Sequence, residues 1–124
     1  MNKLDVALDL YTQVFDHLEQ NFNQHNQLAG DVSVKISNIF LGKGEKLGGR
    51  NFLAKALTHL RKARDAYKEC LEVNDPEEGD NDDKRRREIL SLKLLETSFA
   101  IANVHMELNE IDKAQETYKV CGIY

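Results

Sequence analysis

Apolar residues recur three or four apart along most of the chain, the spacing that lays one stripe down an α-helix. Leu4, Ala7, Leu8, Tyr11, Val14, Phe15, Leu18 and Phe22 form the first stripe. Asn and Gln then replace the apolar positions, which predicts a leading helix over 3–27 that ends before Gly30. Residues 31–42 carry two signals. Val32, Val34 and Ile36 alternate and are β-branched, as in a strand; Asp31 as a cap, with Val32, Ile36, Ile39 and Phe40 on one stripe, favours a helix. No second strand is evident to pair with this segment, so a helix is expected. Residues 42–50 hold four of the seven glycines and predict a loop. Phe52, Ala56, Leu60, Ala63, Tyr67, Cys70 and Leu71 form the clearest stripe, with Asn51 as its cap. Pro76 and Gly79 close it, opening an acidic loop over 74–84.

The last part of the chain repeats the pattern around a short break. Leu94, Leu95, Ser98, Ile101, Ala102 and His105 form one stripe; Ile111, Ala114, Tyr118 and Cys121 form the next. So short a break predicts an antiparallel hairpin over 85–121, with the small residues Ala102 and Ala114 facing each other where the helices approach. The pieces are therefore a leading helix, a hairpin over 31–73, the acidic loop and a second hairpin, read as one helical domain over 1–124. The expected fold class is all-α, about five helices in antiparallel hairpins.

Composition narrows the function more than it names it. Charged residues are 31% and the net charge is −4, so no basic field favours nucleic acid. Arg50, Lys55, Arg61, Lys62 and Arg64, with Lys84 to Arg87, come closest to a basic stripe. The first residues carry acids where a secretion signal needs an apolar core, and no apolar run is long enough for a membrane span. A cytoplasmic protein without membrane attachment is expected, with the nucleus left open. Cys70 and Cys121 on apolar stripes read as buried thiols rather than a disulfide.

Candidate chemistry is sparse. The glycine-rich stretch lacks the order of a phosphate loop. The acids at 75–83 lack the glycine at the sixth place of a calcium loop. His17, His25, His59 and His105 make no metal-ligand spacing, and His105 reads as a core residue with one hydrogen bond. No nucleophile–base pairing is evident. The reading is non-enzymatic, with no cofactor and no metal.

Two segments align without a gap: "ISNIFLGKGE" at 36–45 and "IANVHMELNE" at 101–110. Each precedes a helix with spaced Ala, Tyr and Cys landmarks, and self-similar helix pairs imply stacked hairpins. Ile101, Ala102, Asn103, His105, Asn109, Ala114, Tyr118 and Cys121 resemble the tetratricopeptide repeat over 95–121, and the likeness extends more loosely over 32–71. The two Asn landmarks stand 65 apart rather than the family's roughly 34, because of the intervening loops and the long middle helix. The resemblance implies a TPR-like α-solenoid whose concave face binds a peptide or helix of another protein. On that face it implies Asn38 with Val34 and Leu41 in one unit, and Asn103 with Phe99 and Met106 in the other. Val34 and Phe99 stand where the family's carboxylate-clamp members carry Lys or Arg, so an acidic C-terminus is not implied as ligand. The same asparagines could instead tie neighbouring helices together. Other expectations are a self-assembling subunit, a component of a larger helical assembly, or a helical bundle for nucleic acid.

Overall fold

The computed structural model describes residues 3–21, 27–47, 50–73 and 81–120. These are helical except for a turn at 108–110. The helices are α1 (Lys3–Asn21), α2 (Gln27–Leu47), α3 (Arg50–Val73), α4 (Asn81–Glu107) and α5 (Ile111–Val120). Among the described residues there is no strand, and the segment at 31–42 is helix. Residues 74–80 of the expected acidic loop, Gly48, Gly49 and Cys121 lie outside the described residues, as do residues 22–26 of the expected leading helix.

Several boundaries differ from those read in the sequence. Gly30 does not stop a helix; it lies inside α2, which begins at Gln27. A Cβ at Gly30 would stand 2.7 Å from Tyr67 Cε1, so the glycine is there for close approach to α3. Residues 42–47 of the expected loop are helix, since α2 runs through Gly42 and Gly44 to Leu47. A glycine costs a helix about 1 kcal/mol relative to alanine. Burial offsets that here: Ile36 and Phe40 are in the core, and a Cβ at Gly44 would touch Phe52 and Leu53 at ordinary contact distance. Lys43, between the two glycines, pairs with Asp5 of α1. The last hairpin starts at Asn81 rather than 85.

Each helix packs chiefly on its chain neighbours. Phe15 and Leu18 of α1 meet Val32, Ile36 and Phe40 of α2 and Ala56 of α3. Leu57 and Leu60 of α3 meet Ile101 and Val104 of α4. Ala63, Tyr67 and Cys70 of α3 meet Leu90 of α4, with Val34 of α2 against them. Ala102 and Ala114 are both fully buried, as close packing of α4 on α5 requires.

The turn between α4 and α5 is built from backbone chemistry. Asn109 takes φ 63°, a left-handed value that Asn tolerates better than most residues. Its N–H donates to Met106 O at 3.0 Å and the Glu110 N–H to His105 O at 2.8 Å, closing a Schellman motif. Arg50 Nη2 donates to Leu108 O from the start of α3 at 2.9 Å. Glu110 then precedes α5, contacting buried His105 Nδ1 at 3.3 Å and accepting from Lys113 Nζ at 2.8 Å. Of the basic run at 84–87, Arg87 donates to Leu71 O in the last turn of α3 at 3.0 Å, a bond that the sequence does not announce.

A ring cluster holds α1 to the next two helices. His59 stacks on Phe40 with centroids 5.7 Å apart and meets the edge of Phe15 at 6.5 Å. Lys62 Nζ lies 5.0 Å from the Phe15 centroid and Lys55 Nζ 5.7 Å from that of Phe40. His59 Nδ1 is buried and has no hydrogen-bond partner among the described residues. Burial, and then the charge of Lys62, lower the imidazole pKa below its ordinary 6.5. The folded chain therefore binds fewer protons than the unfolded one. This contribution to stability is present above pH 6.5 and is lost as pH falls through the folded-state value. Denaturation midpoints should decline as pH drops below 6.5, and His59→Phe should flatten that decline. Glu110 acts in a separate window: bonds from Lys113 and His105 lower its pKa, so its contribution is lost only as pH falls below 4.5. An identical decline in the His59→Phe variant would assign the acid sensitivity elsewhere.

Candidate functional site

A groove of about 370 Å³ runs between α2 and α4 over α3. Its two walls have the same helical arithmetic. Asp31, Val34, Lys35 and Asn38 come from α2, and Lys93, Glu96, Thr97 and Ala100 from α4. Each set is spaced i, i+3, i+4, i+7, which puts four side chains on one face of a helix. Leu60 and Tyr67 of α3 form the floor, two turns apart.

One end of the groove is a three-helix polar junction. Asp31 Oδ1 accepts from the Tyr67 hydroxyl at 2.5 Å and from Lys93 Nζ at 2.7 Å. Lys93 Nζ also lies 5.8 Å from the Tyr67 ring centroid. Burial first, then the bond to Asp31 and nearby carboxylates, push the Tyr67 pKa well above its ordinary value. The phenol therefore stays protonated and donates to Asp31. Asp31 and Lys93 are each about one-third exposed, so solvent weakens their attraction and the junction acts chiefly to orient. The other end is simpler. The exposed Asn38 amide stands beside Val34, Leu60 and Ala100, leaving a donor and an acceptor next to apolar surface.

The structure divides the six candidate residues. Val34 and Asn38 line the groove. Leu41 is half-buried against two parts of the core. Asn103, Phe99 and Met106 are not on the groove wall. The Tyr118 hydroxyl of α5 donates to Asn103 Oδ1 at 2.7 Å, and the Phe99 and Tyr118 rings lie 5.7 Å apart. Met106 is exposed. Asn38 and Asn103 occupy equivalent places in the sequence repeat. Asn38 stands on the groove between α2 and α4, whereas Asn103 is bonded to Tyr118 of α5. Asp31, Tyr67, Lys93, Glu96 and Thr97 were missed by sequence reasoning. Lys93, Glu96 and Thr97 share only the i, i+3, i+4, i+7 set ending at Ala100, a spacing that a solvated face also has, and Asp31 and Tyr67 enter the sequence reading only as a helix cap and a stripe residue.

Among the described residues, no three His, Cys, Asp or Glu side chains come together as a metal site would require. No helix among them is long and apolar enough to cross a membrane. Lys55 and Lys62, part of the closest approach to a basic stripe, stand over the phenyl rings of Phe40 and Phe15. No family model, curated protein or solved structure matches the chain.

Proposed function

We propose that this chain is a protein–protein interaction module, a TPR-like stack of helical hairpins that seats a peptide or helix of another protein between α2 and α4. The observation that carries this reading is the groove, with its matched helix faces, apolar floor and exposed Asn38 amide. Its chemistry suits such a segment: the amide addresses a backbone group while Val34, Leu60 and Ala100 take an apolar side chain. The Asp31–Tyr67–Lys93 junction holds the spacing of the walls, so a ligand meets a preorganised site.

The test begins with recovery of a binding partner from source lysate and continues with titrations of that partner. Asn38→Ala should leave stability within about 0.5 kcal/mol, as surface changes do, and should weaken binding by about 1–3 kcal/mol. Ala100→Arg, which fills the groove, should weaken it further. Asn103→Ala should show the opposite balance. It loses the Tyr118 bond, so stability falls by roughly 0.5–1.5 kcal/mol, while affinity measured well below the melting temperature is retained. A partner whose affinity ignores both Asn38→Ala and Ala100→Arg would place recognition outside the groove.

A further inference from the structure

The charged side chains of the groove fall into a pair that is closed and a pair that is open. Asp31 of α2 and Lys93 of α4 meet across the walls at 2.7 Å. One turn further along each helix the signs reverse, with Lys35 on α2 and Glu96 on α4, both exposed and both lining the groove. Among the described residues neither has an ion pair or a hydrogen bond. The other charged residue of each wall is already engaged: Asp31 accepts from Tyr67 and Lys93, and the Lys93 ammonium donates to Asp31 and lies over the Tyr67 ring. Val34, Leu60 and Ala100 supply apolar surface in the same groove.

A lone exposed charge on a helix is ordinary. Two unpaired charges of opposite sign on facing walls, one turn from a pair that closes, set a polarity across the groove. On the reading that the groove seats a protein segment, we propose that this segment carries an acidic and a basic side chain flanking an apolar one. The acid meets Lys35, the base meets Glu96, and the apolar residue rests on Val34, Leu60 and Ala100. Two helical turns of wall, about 10 Å, hold one apolar residue with its charged neighbours. Both charges stay near water, so each contact adds modestly to affinity and acts chiefly on partner choice and direction. A segment laid the other way round would set like charges against each other, which disfavours it.

Selection from a displayed library of random peptides tests this, with the unaltered chain and the variants Ala100→Arg, Lys35→Glu and Glu96→Lys as baits. Lys35 and Glu96 are exposed, and both replacements are good helix formers, so helical circular dichroism should be retained. The unaltered chain should enrich peptides with an acid and a base on either side of an apolar residue, and Ala100→Arg should lose them. Lys35→Glu should select a base in place of the acid, and Glu96→Lys an acid in place of the base. A peptide synthesised from the first selection should bind each charge-reversed chain at least about fivefold more weakly by titration calorimetry. Exchanging its acid for a base should restore binding to Lys35→Glu. The outcomes separate the two readings. Peptides that the unaltered chain enriches no better than Ala100→Arg would overturn the groove as a peptide seat, and this assignment with it. Peptides lost with Ala100→Arg but without charge preference, or with an affinity that ignores both reversals, would overturn the charge assignment alone. Should a reversal unfold the chain, Lys35→Gln and Glu96→Gln carry the same comparison, each erasing the preference for one charge.

Discussion

Replacing Ala102 with arginine is expected to cost more than about 4 kcal/mol, close to the whole stability of a marginal domain. Two effects add. Ala102 is fully buried on α4, which packs on α3 and α5, so a larger side chain there must displace its neighbours; overpacking of this kind costs about 1–3 kcal/mol. The guanidinium would also have to lose water at a buried site, a penalty of several kcal/mol. Lifting α5 away relieves both, at the expense of the Tyr118–Asn103 bond and the burial of Ala114. A thermal melt followed by circular dichroism should show a large fall in midpoint or the loss of a cooperative transition. An unchanged midpoint would mean that these helices do not meet at Ala102.

The second large effect comes from Gly30, where two rules give opposite signs. Helix propensity says that Gly30→Ala should stabilise the helix interior by about 1 kcal/mol. Packing says otherwise, because the new Cβ would stand 2.7 Å from Tyr67 Cε1 and 3.0 Å from Cζ. The ring has little room to yield: Tyr67 is buried and its hydroxyl is held by Asp31. Packing should win, with a net loss of roughly 1–2 kcal/mol for alanine and more for valine, whose branched side chain adds bulk. The same alanine placed in a Tyr67→Ala background should reverse sign and stabilise, since only propensity then acts. Chemical denaturation of the four chains of this cycle measures the coupling directly. Equal effects in both backgrounds would remove the ring as the cause.

Much of the helical layout is legible from the spacing of apolar residues. The stripe from Phe52 to Leu71 defines α3, and Leu4 to Leu18 defines most of α1. Asp31 to Phe40 yields a helix once the absence of a partner strand is considered. What escapes is whatever depends on a neighbour. Gly44 looks like a loop residue until Phe52 and Leu53 of α3 lie beside it. Gly30 looks like a helix end until the Tyr67 ring is placed beside it. The groove fared similarly. Val34 and Asn38 line it, but the repeat that pairs Asn38 with Asn103 establishes equivalence and not adjacency. Lys93, Glu96 and Thr97 form the opposite wall, and nothing in their polarity separates a groove wall from a solvated helix face. The junction of Tyr67, Asp31 and Lys93 joins three helices across 62 residues of sequence, beyond the reach of any local pattern.

Packing of each helix chiefly on its chain neighbours has a kinetic and cooperative consequence. Most contacts close over short stretches of sequence, a low contact order that favours fast folding. Stability becomes divisible along the chain. α1, held chiefly by α2, can open without α4 or α5 losing a contact, and α5 can open without disturbing α1. Amide protection is then graded, lowest in the two outer helices and highest in α3, whose packing on α2 and α4 is the most extensive. A chain of this design fails by fraying inward from its ends, and whatever docks on an end helix raises the protection of that end first.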